Sequence, residues 1–331
     1  MSNNVICGSL WQNTEMSKHD HQTTFNTPLV KIKLQNLSNI NLFAKLESFN
    51  PTGSIKDRPA HFIIDKLLES GEINKDTTIV ESSSGNFGIA LAAYCKEKGL
   101  KFYCVIDPNI SETNEFLINQ LSTGTIKVEN RDGSGGYLLN RIKAVKKFLE
   151  EVPNSHWINQ YANTLNAQAH YETLGKEICE SLPQIDYAFI GVGSGGTITG
   201  VSKKIKKEFP NCKIVAVDTK GSVIFGGKAE KRYIPGIGSS MVPDILKEAK
   251  IDEIITVPEI NAIKSCHELL KTHSLFVGGS SGSVFSAIEN YFENKREGPL
   301  TVVTIFPDRG ERYINTVYNK DWYEKLFGKL N

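Results

Sequence analysis

One lysine stands in a stretch of small, structure-breaking residues that would expose its amine to a carbonyl compound. The stretch is Asn50-Pro51-Thr52-Gly53-Ser54-Ile55-Lys56-Asp57-Arg58, and a predicted strand over residues 42–46 precedes it. Pro51 and Gly53 interrupt regular structure, and a helical pattern begins near Arg58. At a helix N-terminus in a partly dry site, the helix dipole and desolvation both disfavour the ammonium form. Lys56 is therefore a candidate nucleophile for a Schiff base, with an ordinary exposed loop lysine as the alternative.

A glycine-rich loop between a predicted strand at 187–190 and a predicted helix at 197–209 has the features of a phosphate site. Its residues are Gly191-Val192-Gly193-Ser194-Gly195-Gly196-Thr197. Glycines let backbone N–H groups approach an anion, and the hydroxyls of Ser194 and Thr197 suit a terminal phosphate. The loop also matches G-x-G-x-x-G, and Asp218 closes the next predicted strand. A nicotinamide-dependent dehydrogenase is therefore an open alternative.

Two further loops rich in serine and glycine open predicted helices. In Ser83-Ser84-Gly85-Asn86, helix N–H groups and two hydroxyls suit a carboxylate, and Asn86 offers a donor and an acceptor to a ring hydroxyl. An ordinary serine helix cap is the alternative there. In Gly278-Gly279-Ser280-Ser281-Gly282, Ser280 is a candidate to bond a heteroaromatic nitrogen, with a helix cap as the alternative, and the glycines allow close packing against a flat ring. A phosphate-bearing cofactor would give all three loops a role.

Composition narrows the possible partners. The 38 basic and 37 acidic side chains leave a net charge of +1, which gives no reason to expect nucleic acid or an anionic membrane as a partner. The six cysteines are scattered singly, as in reduced cytoplasmic proteins. We expect neither a signal segment nor a membrane span, because no long apolar run occurs. The seven histidines lack metal-ligand spacing, so we also expect no metal.

Strands and helices alternate along most of the chain, which predicts an α/β fold with parallel sheets. The predicted strands lie at 28–32, 42–46, 77–81, 102–106, 125–129, 187–190, 213–218, 254–257 and 300–306. Residues 157–163 are expected to be irregular, and 166–182 to form one helix. The break at Pro153-Asn154 predicts a change of domain near residue 155.

Taken together, these stretches resemble the pyridoxal-phosphate (PLP) enzymes of fold type II, the cysteine synthase and cystathionine β-synthase group. N-P-T-G-S-I-K-D-R resembles their Schiff-base lysine segment, S-S-G-N their substrate-carboxylate loop, and G-S-G-G-T their phosphate loop. G-I-G-S at 236–239 resembles the loop that closes over substrate, and G-G-S-S-G the segment whose first serine meets the pyridine nitrogen. The resemblance covers residues 20–315.

This resemblance implies an α/β fold of two open, twisted, mostly parallel sheets flanked by helices, as in the tryptophan synthase β-subunit. It implies a small, mobile substrate-binding domain over residues 49–155. Residues 1–48 and 156–331 would form the large PLP-binding domain. It also implies amino-acid substrates, a homodimer, and β-replacement on an activated L-serine through a bound aminoacrylate.

A narrower resemblance is to the siderophore-pathway branch, the N-(2-amino-2-carboxyethyl)-L-glutamate synthases of diaminopropionate biosynthesis. It is carried by I-N-Q-Y-A-N, K-G-S-V-I-F-G, P-G-I-G-S-S and P-D-R-G-E-R-Y. It implies that O-phospho-L-serine is joined to the amine of L-glutamate with release of phosphate. The glycine-rich G-S-G-G-T loop keeps open a cysteine synthase that uses O-acetylserine or O-phosphoserine and sulfide.

The resemblance also implies a set of site residues. Lys56 would be the catalytic lysine, and the cofactor would contact Lys56, Asn86, Gly193, Ser194, Gly195, Gly196, Thr197 and Ser280. The substrates would contact Ser83, Ser84, Asn86, Phe87, Arg141, Gln160, Tyr161, Ser194, Gly238 and Ser239. A phosphate leaving group calls for a nearby cation, and the candidates are Arg141, Arg309 and Arg312. Surface charge pairing is the alternative for these arginines, and simple aromatic packing is the alternative for Tyr161.

Overall fold

The strands form two separate sheets in the computed structural model, which describes residues 25–35, 37–133, 136–295 and 298–330. In chain order the strands are β1 (Leu29–Ile32), β2 (Ile40–Leu46), β3 (Thr78–Ser82), β4 (Lys101–Ile106), β5 (Gly124–Lys127), β6 (Ser155–Trp157), β7 (Tyr187–Gly191), β8 (Lys213–Thr219), β9 (Glu253–Val257) and β10 (Leu300–Phe306). The larger sheet has the order β1-β2-β10-β7-β8-β9, and the smaller has the order β5-β4-β3-β6. Among the strand pairs that the structure describes, only the edge pair β1–β2 is antiparallel. The predicted fold class is confirmed.

Helices cover the sheets. They are α1 (Asp57–Ser70), α2 (Asn86–Glu97), α3 (Glu112–Leu121), α4 (Leu138–Glu151), α5 (Thr164–His170), α6 (Lys176–Ser181), α7 (Gly196–Glu208), α8 (Glu259–His273), α9 (Gly279–Phe292) and α10 (Lys320–Phe327). Alternate residues of the central strands face different helices. Phe189 and Val215 lie in a core with α8 and α9, whereas Ala188 and Ile214 lie in a core with α6 and α7. Burial on both faces explains why these strands are apolar throughout.

Parallel strands bring their carboxyl ends to one edge of a sheet, and the loops singled out above lie at these edges. The loop after β7 leads into α7, and the loop after β3 leads into α2. The segment after β10 contains Asp308, which pairs across a short bridge with Ser54 beside the lysine turn. The fold therefore places the lysine turn, which follows β2, near the end of β10.

Two predicted elements differ from those observed. Residues 155–157 form the short strand β6, paired with β3 from Thr78 to Val80; no strand was predicted there, and Trp157 was placed at the start of an irregular segment. Three residues are too few to show a period, so this strand depends on its partner. The expected helix at 166–182 is interrupted by a wide π turn at Tyr171–Gly175. Apolar spacing does not distinguish such a turn from an α-helix.

The division into two moving domains stays a prediction. The smaller sheet runs from residue 78 to residue 157, so its last strand lies at the predicted boundary. Residues 1–24 of the predicted large domain lie outside the described part of the chain. Within the described ranges, none of the helices combines the length and the apolarity needed to span a membrane.

Candidate active site

Lys56 immediately precedes α1, at the turn that follows β2. Its Nζ lies 3.2 Å from Ser194 Oγ and 6.0 Å from the centre of the Phe87 ring. Burial lowers the pKa of Lys56 to about 8, although the nearby Glu81 carboxylate acts in the opposite direction. A lower pKa means that more of the lysine is present as the free amine near neutral pH. The side chain therefore has the property required of a carbonyl-trapping nucleophile.

The turn that carries Lys56 is held by its own side chains. The Asp57 carboxylate accepts hydrogen bonds from the Thr52 hydroxyl (2.6 Å) and the Thr52 backbone N–H (3.1 Å). Gly53 has a φ of +84°, a conformation that other residues rarely adopt. The Ile55 N–H donates to Pro307 O at 2.8 Å, which ties the turn to the segment after β10.

A buried ion cluster lies behind this turn. The fully buried guanidinium of Arg58 pairs with Glu47 at 2.6 Å and with Glu177 at 2.5 Å, and Lys45 Nζ lies 2.8 Å from Glu177. The cluster joins the residues after β2, the first turn of α1, and α6. Since Arg58 is two residues from Lys56, the cluster also anchors the stretch of backbone that carries the lysine.

In the loop Gly191–Thr197, a side chain would clash at Gly196 and would be tightly packed at Gly193. A Cβ on Gly196 would lie 2.2 Å from Asn166 Oδ1, and a Cβ on Gly193 would lie 3.1 Å from Gly236 O. Gly195 has a φ of +86° and begins α7, a helix of 13 residues. This is a backbone cradle at a helix N-terminus, which is the arrangement that binds phosphate groups. Its chemistry fits the phosphate of a cofactor held near Lys56.

Two groups on α5 lie beneath the cradle. The Thr197 hydroxyl lies 3.3 Å from His170 Nε2, and Asn166 Nδ2 donates to Gln160 O at 2.8 Å. Burial lowers the pKa of His170 well below its usual range, and the positive charge of Lys56 adds to the effect. His170 is therefore neutral at physiological pH and adds no charge to the site.

The loop after β3 is organised by its hydroxyl groups. The Ser83 hydroxyl accepts the Gly88 N–H at 3.0 Å, which makes it a cap for α2. The Ser84 hydroxyl donates to Asp107 Oδ2 at 2.8 Å and accepts from Arg141 Nη1 at 2.9 Å. These contacts orient the first N–H groups of α2, which remain the expected site for a carboxylate.

Asn86 connects this loop to the chain's C-terminal segment. Its Nδ2 donates to Asp308 Oδ2 at 2.6 Å, and its Oδ1 accepts from Arg312 Nη1. A Cβ on Gly278 would overlap Asp308 Oδ1, so the segment that opens α9 packs directly on Asp308. Ser280, which is buried in the first turn of α9, therefore lies in the same part of the molecule as Asn86.

Arg141 lies on α4 and faces inward. Its Nη1 is 3.1 Å from Asp107 Oδ2, and both side chains are mostly buried, with exposed fractions of 12% and 7%. Its Nε is buried, and no partner for it occurs among the described residues. The two other candidate cations differ from each other: Arg309 is an exposed residue paired with Glu311, whereas Arg312 contacts Asn86 and Thr52 O.

Gln160 and Tyr161 follow β6. The Gln160 N–H donates to Glu81 Oε2 at 3.3 Å. Burial raises the pKa of Tyr161, and the positive charges of Arg141 and Arg232 oppose this rise. Tyr161 is therefore a neutral phenol within electrostatic range of two guanidinium groups.

The Gly236–Ser239 segment lies over the phosphate cradle. The Gly238 N–H donates to Val192 O at 2.7 Å, and the Ser239 N–H donates to Ser222 Oγ at 3.1 Å. Arg232 holds the same segment, since its Nη1 donates to Ile237 O at 3.3 Å. Ser194 and Phe87 thus lie beside Lys56, and Gly236 lies against the cradle, whereas Arg309 is exposed. The roles assigned to the site residues stay predictions.

The sequence reasoning missed several polar residues of this region: Glu81, Asp107, Asn166, Arg232 and Asp308. Three of them share a signal, because they are acids at or just after the carboxyl end of a parallel strand. Such positions meet at one edge of a sheet, where ligands bind. This rule would have selected Glu81, Asp107 and Asp308.

The sequence pattern of the pyridoxal-phosphate dependent enzyme family matches residues 21–308. The chain belongs to this family. It is accordingly a PLP-dependent enzyme, and its fit to the cofactor is supported by the partly deprotonated Lys56 and by the backbone cradle. The family assignment favours PLP over a nicotinamide. Asp218, the proposed ribose ligand of the dehydrogenase alternative, is buried and accepts the N–H of Thr219 at 2.8 Å.

Solved structures of related enzymes superpose on nearly the whole chain. An O-acetylserine dependent cystathionine β-synthase from Helicobacter pylori is 31% identical, with a TM-score of 0.83 over 90% of this chain and 98% of that one. A hydrogen sulfide-producing enzyme from Fusobacterium nucleatum is 31% identical, with a TM-score of 0.80 over 88% and 97%. An O-ureido-L-serine synthase is 27% identical, with a TM-score of 0.82 over 93% and 96%. The chain thus belongs to the PLP-dependent β-replacement enzymes that are similar to the cysteine and cystathionine synthases.

Proposed function

We propose that this PLP-dependent enzyme joins O-phospho-L-serine to the amine of L-glutamate, forming N-(2-amino-2-carboxyethyl)-L-glutamate and phosphate. The observation that carries this proposal is the guanidinium of Arg141. It lies against Ser84, in the loop expected to hold the donor, and its buried Nε has no partner among the residues that the structure describes. A buried N–H that lacks a partner is costly, and an anionic oxygen is its strongest available acceptor.

When bound, PLP supplies an electron-withdrawing ring that stabilises negative charge at the substrate Cα. Lys56 would hold its aldehyde carbon, the Gly193–Thr197 loop its phosphate, Asn86 its ring hydroxyl and Ser280 its pyridine nitrogen. Once displaced by the substrate amine, Lys56 would act as the base at Cα. A pKa of about 8 suits this role, because the amine both accepts and returns a proton near neutral pH.

The donor would be held at both of its ends. The first N–H groups of α2, with Ser83, Ser84, Asn86, Phe87 and Gln160, would bind its α-carboxylate. Arg141, Tyr161 and Ser194 would bind its phosphate, which leaves with the electron pair of the Cβ–O bond. The glutamate nitrogen then bonds to Cβ and loses a proton, and Lys56 returns a proton to Cα. Closure of the Gly238–Ser239 segment would exclude water during these steps.

A dicarboxylic acceptor needs a second cation. Arg232 is half-buried, and its guanidinium donates to Ile237 O and to Ser240 Oγ, both of which are uncharged. Within the described ranges, the carboxylates of Asp218 and Glu259 act on it from beyond ion-pair distance. Because Arg232 also lies within electrostatic range of Tyr161, we assign it to a carboxylate of glutamate.

A second candidate is sulfur transfer. The two neighbours at 31% identity are an O-acetylserine dependent cystathionine β-synthase and a hydrogen sulfide-producing enzyme. For this chain the alternative is a cysteine or cystathionine synthase that takes O-acetylserine or O-phosphoserine and a thiol or sulfide. The two candidates share the donor half of the reaction and differ in the acceptor.

A donor-by-acceptor screen tests the proposal. Purified enzyme is mixed with O-phospho-L-serine, O-acetyl-L-serine or L-cysteine, and the change in the cofactor absorption band is recorded. L-Glutamate, sulfide or homocysteine is then added, and products are identified by mass. Phosphate release and a product of the expected mass only with O-phospho-L-serine and L-glutamate would support the proposal. A faster reaction with sulfide for every donor would replace it with cysteine synthesis.

The proposal extends to the setting of the enzyme. We infer a cytoplasmic homodimer that supplies a diaminopropionate precursor for siderophore biosynthesis. We also infer a small domain, residues 49–155, that moves on the large one, residues 1–48 and 156–331. Light scattering would give the mass in solution, and X-ray scattering with and without donor would show whether the molecule contracts. Borohydride reduction followed by peptide mapping should place a pyridoxyl group on Lys56.

A further inference from the structure

The carboxylate of Glu81 is buried and has no part in the chemistry described above. It lies near the end of β3, and its side chain is fully buried. Its Oε1 accepts hydrogen bonds from the Ser82 N–H (2.7 Å) and from Trp157 Nε1 (3.3 Å), and its Oε2 accepts the Gln160 N–H (3.3 Å). In the described part of the chain, no lysine or arginine forms an ion pair with it. Burying a carboxylate without a cationic partner costs free energy, so the presence of Glu81 at this position needs an explanation.

The position of Glu81 supplies that reason. The ladder between β3 and β6 ends where the Ile158 N–H donates to Val80 O at 3.4 Å. Beyond this point the backbones separate, and the Glu81 side chain spans the gap to Trp157 and Gln160. The residues that follow it along β3 are those of the Ser83–Asn86 loop. One carboxylate therefore joins the two segments expected to hold the amino-acid donor.

We propose that Glu81 is a positioning residue: it holds the Gln160–Tyr161 segment against the Ser83–Asn86 loop and supplies the negative charge that Lys56 and Arg141 share. This inference rests on the β-replacement activity of the family and not on the choice of donor or acceptor.

The electrostatics agree with this geometry. Burial raises the pKa of Glu81 to about 7, an effect opposed by its three hydrogen bonds and by Arg141 on α4. The other titratable groups facing it are Lys56 before α1, Cys104 on β4 and Tyr161 after β6. Near pH 8 Glu81 is ionised, and its charge holds the pKa of Lys56 higher than burial alone would place it.

Two substitutions in the holoenzyme separate the charge from the contacts. Glu81→Gln removes the charge and turns a donor toward the Gln160 N–H, whereas Glu81→Asp keeps the charge but is one methylene too short for the same contacts. Both substitutions should raise KM for the donor about tenfold, because the loss of one hydrogen bond to a charged group weakens binding by about this factor. The limb of the pH–rate profile that depends on Lys56 should shift only in Glu81→Gln. The shift should be to lower pH, because loss of the Glu81 charge lowers the pKa of Lys56.

A readout that needs no substrate comes from Trp157. Its indole N–H donates to Glu81, so tryptophan fluorescence of the wild-type holoenzyme should show a transition near pH 7. The transition should be absent from both Glu81→Gln and Trp157→Phe. Because no donor or acceptor is added, this result is independent of whether the proposed reaction is correct.

Asp186→Asn is the matched control. Asp186 also joins two strands, because its Oδ2 accepts the Thr301 N–H at 2.7 Å. It immediately precedes β7, and so it lies at the amino ends of the strands of the larger sheet, whereas the candidate site lies at their carboxyl ends. Asp186→Asn should lower the melting temperature and leave KM and the pH profile unchanged. If Glu81→Gln behaves like this control, with KM and the pH limb unchanged within twofold, Glu81 is merely structural and the proposal is overturned. The absence of a wild-type fluorescence transition would overturn it as well.

Discussion

Replacing Arg141 with methionine should impair the reaction with O-phospho-L-serine far more than the reaction with O-acetyl-L-serine. Methionine keeps most of the side-chain volume but removes the N–H donors and the charge. Each charge-assisted hydrogen bond lost from the phosphate is worth about 1.5–3 kcal/mol, so kcat/KM for the phosphorylated donor should fall about 10- to 150-fold. The acetyl ester carries no phosphate, so its kcat/KM should change by less than about threefold.

Replacing Arg141 should also affect stability, because this residue belongs to a buried ion pair. Arg141 is paired with Asp107, and only 12% and 7% of their side chains are exposed. Breaking a buried pair on one side costs about 3–5 kcal/mol of stability, because the remaining charge has no partner. The double variant Arg141→Met with Asp107→Asn removes both charges and should regain much of that stability. The ratio of the two kcat/KM values should nevertheless stay as low as in the single variant.

The assay is steady-state kinetics with each donor at saturating acceptor, with bound PLP quantified from its absorbance and stability from urea unfolding. Equal losses for both donors would mean that Arg141 supports the fold and not the leaving group. A ratio within twofold of wild type in both variants would refute the assignment of Arg141 to phosphate.

Three further predictions concern the cradle, the ion cluster and the pH dependence of stability. Gly196→Ala should weaken PLP binding about tenfold in a titration of the apoenzyme, because the new Cβ would overlap Asn166 Oδ1. Arg58→Met should lower the free energy of unfolding by about 3–5 kcal/mol, because it leaves the fully buried Glu47 without its cation. Burial raises the pKa of Glu81 from 4.5 to about 7, so the folded protein keeps a proton that the unfolded chain has already released. Stability should therefore fall by about 3 kcal/mol as the pH rises from about 4.5 to 7, and Glu81→Gln should remove that fall in urea titrations.

The chain offers a control substitution for the cradle and for the ion cluster. Gly133→Ala adds a Cβ in open space and should leave PLP affinity unchanged. Lys66→Met breaks an exposed pair with Glu69 and should leave the urea unfolding curve nearly unchanged. Normal PLP binding by Gly196→Ala would show that the cradle tolerates a side chain. A loss below about 1 kcal/mol for Arg58→Met would show that the buried cluster contributes no more than a surface pair does. Parallel pH curves for wild type and Glu81→Gln would contradict the assigned titration.

The local parts of this protein could be predicted from the sequence because they depend on residues close together in the chain. The turn that carries Lys56 is set by its proline, glycine and threonine. The cradle after β7 is set by glycines that leave backbone N–H groups accessible. Alternating apolar strands and amphipathic helices predicted parallel sheets, and the family resemblance implied that there are two. The three-residue β6, the π turn at Tyr171–Gly175 and helix α10 were not predicted.

Other features were decided by the tertiary structure alone. Lys56 and Ser194 are 138 positions apart, and their contact exists only because the ends of β2 and β7 lie at one edge of the larger sheet. Arg309 and Arg312 look alike in the sequence, yet only Arg312 reaches Asn86. The direction of the Lys56 pKa shift was expected from its place before a helix. The raised pKa of Glu81 was not, because it follows from burial, and burial is a property of the packed molecule. Sequence pattern thus determined which residues were available for chemistry, and packing determined which of them meet and with what charge.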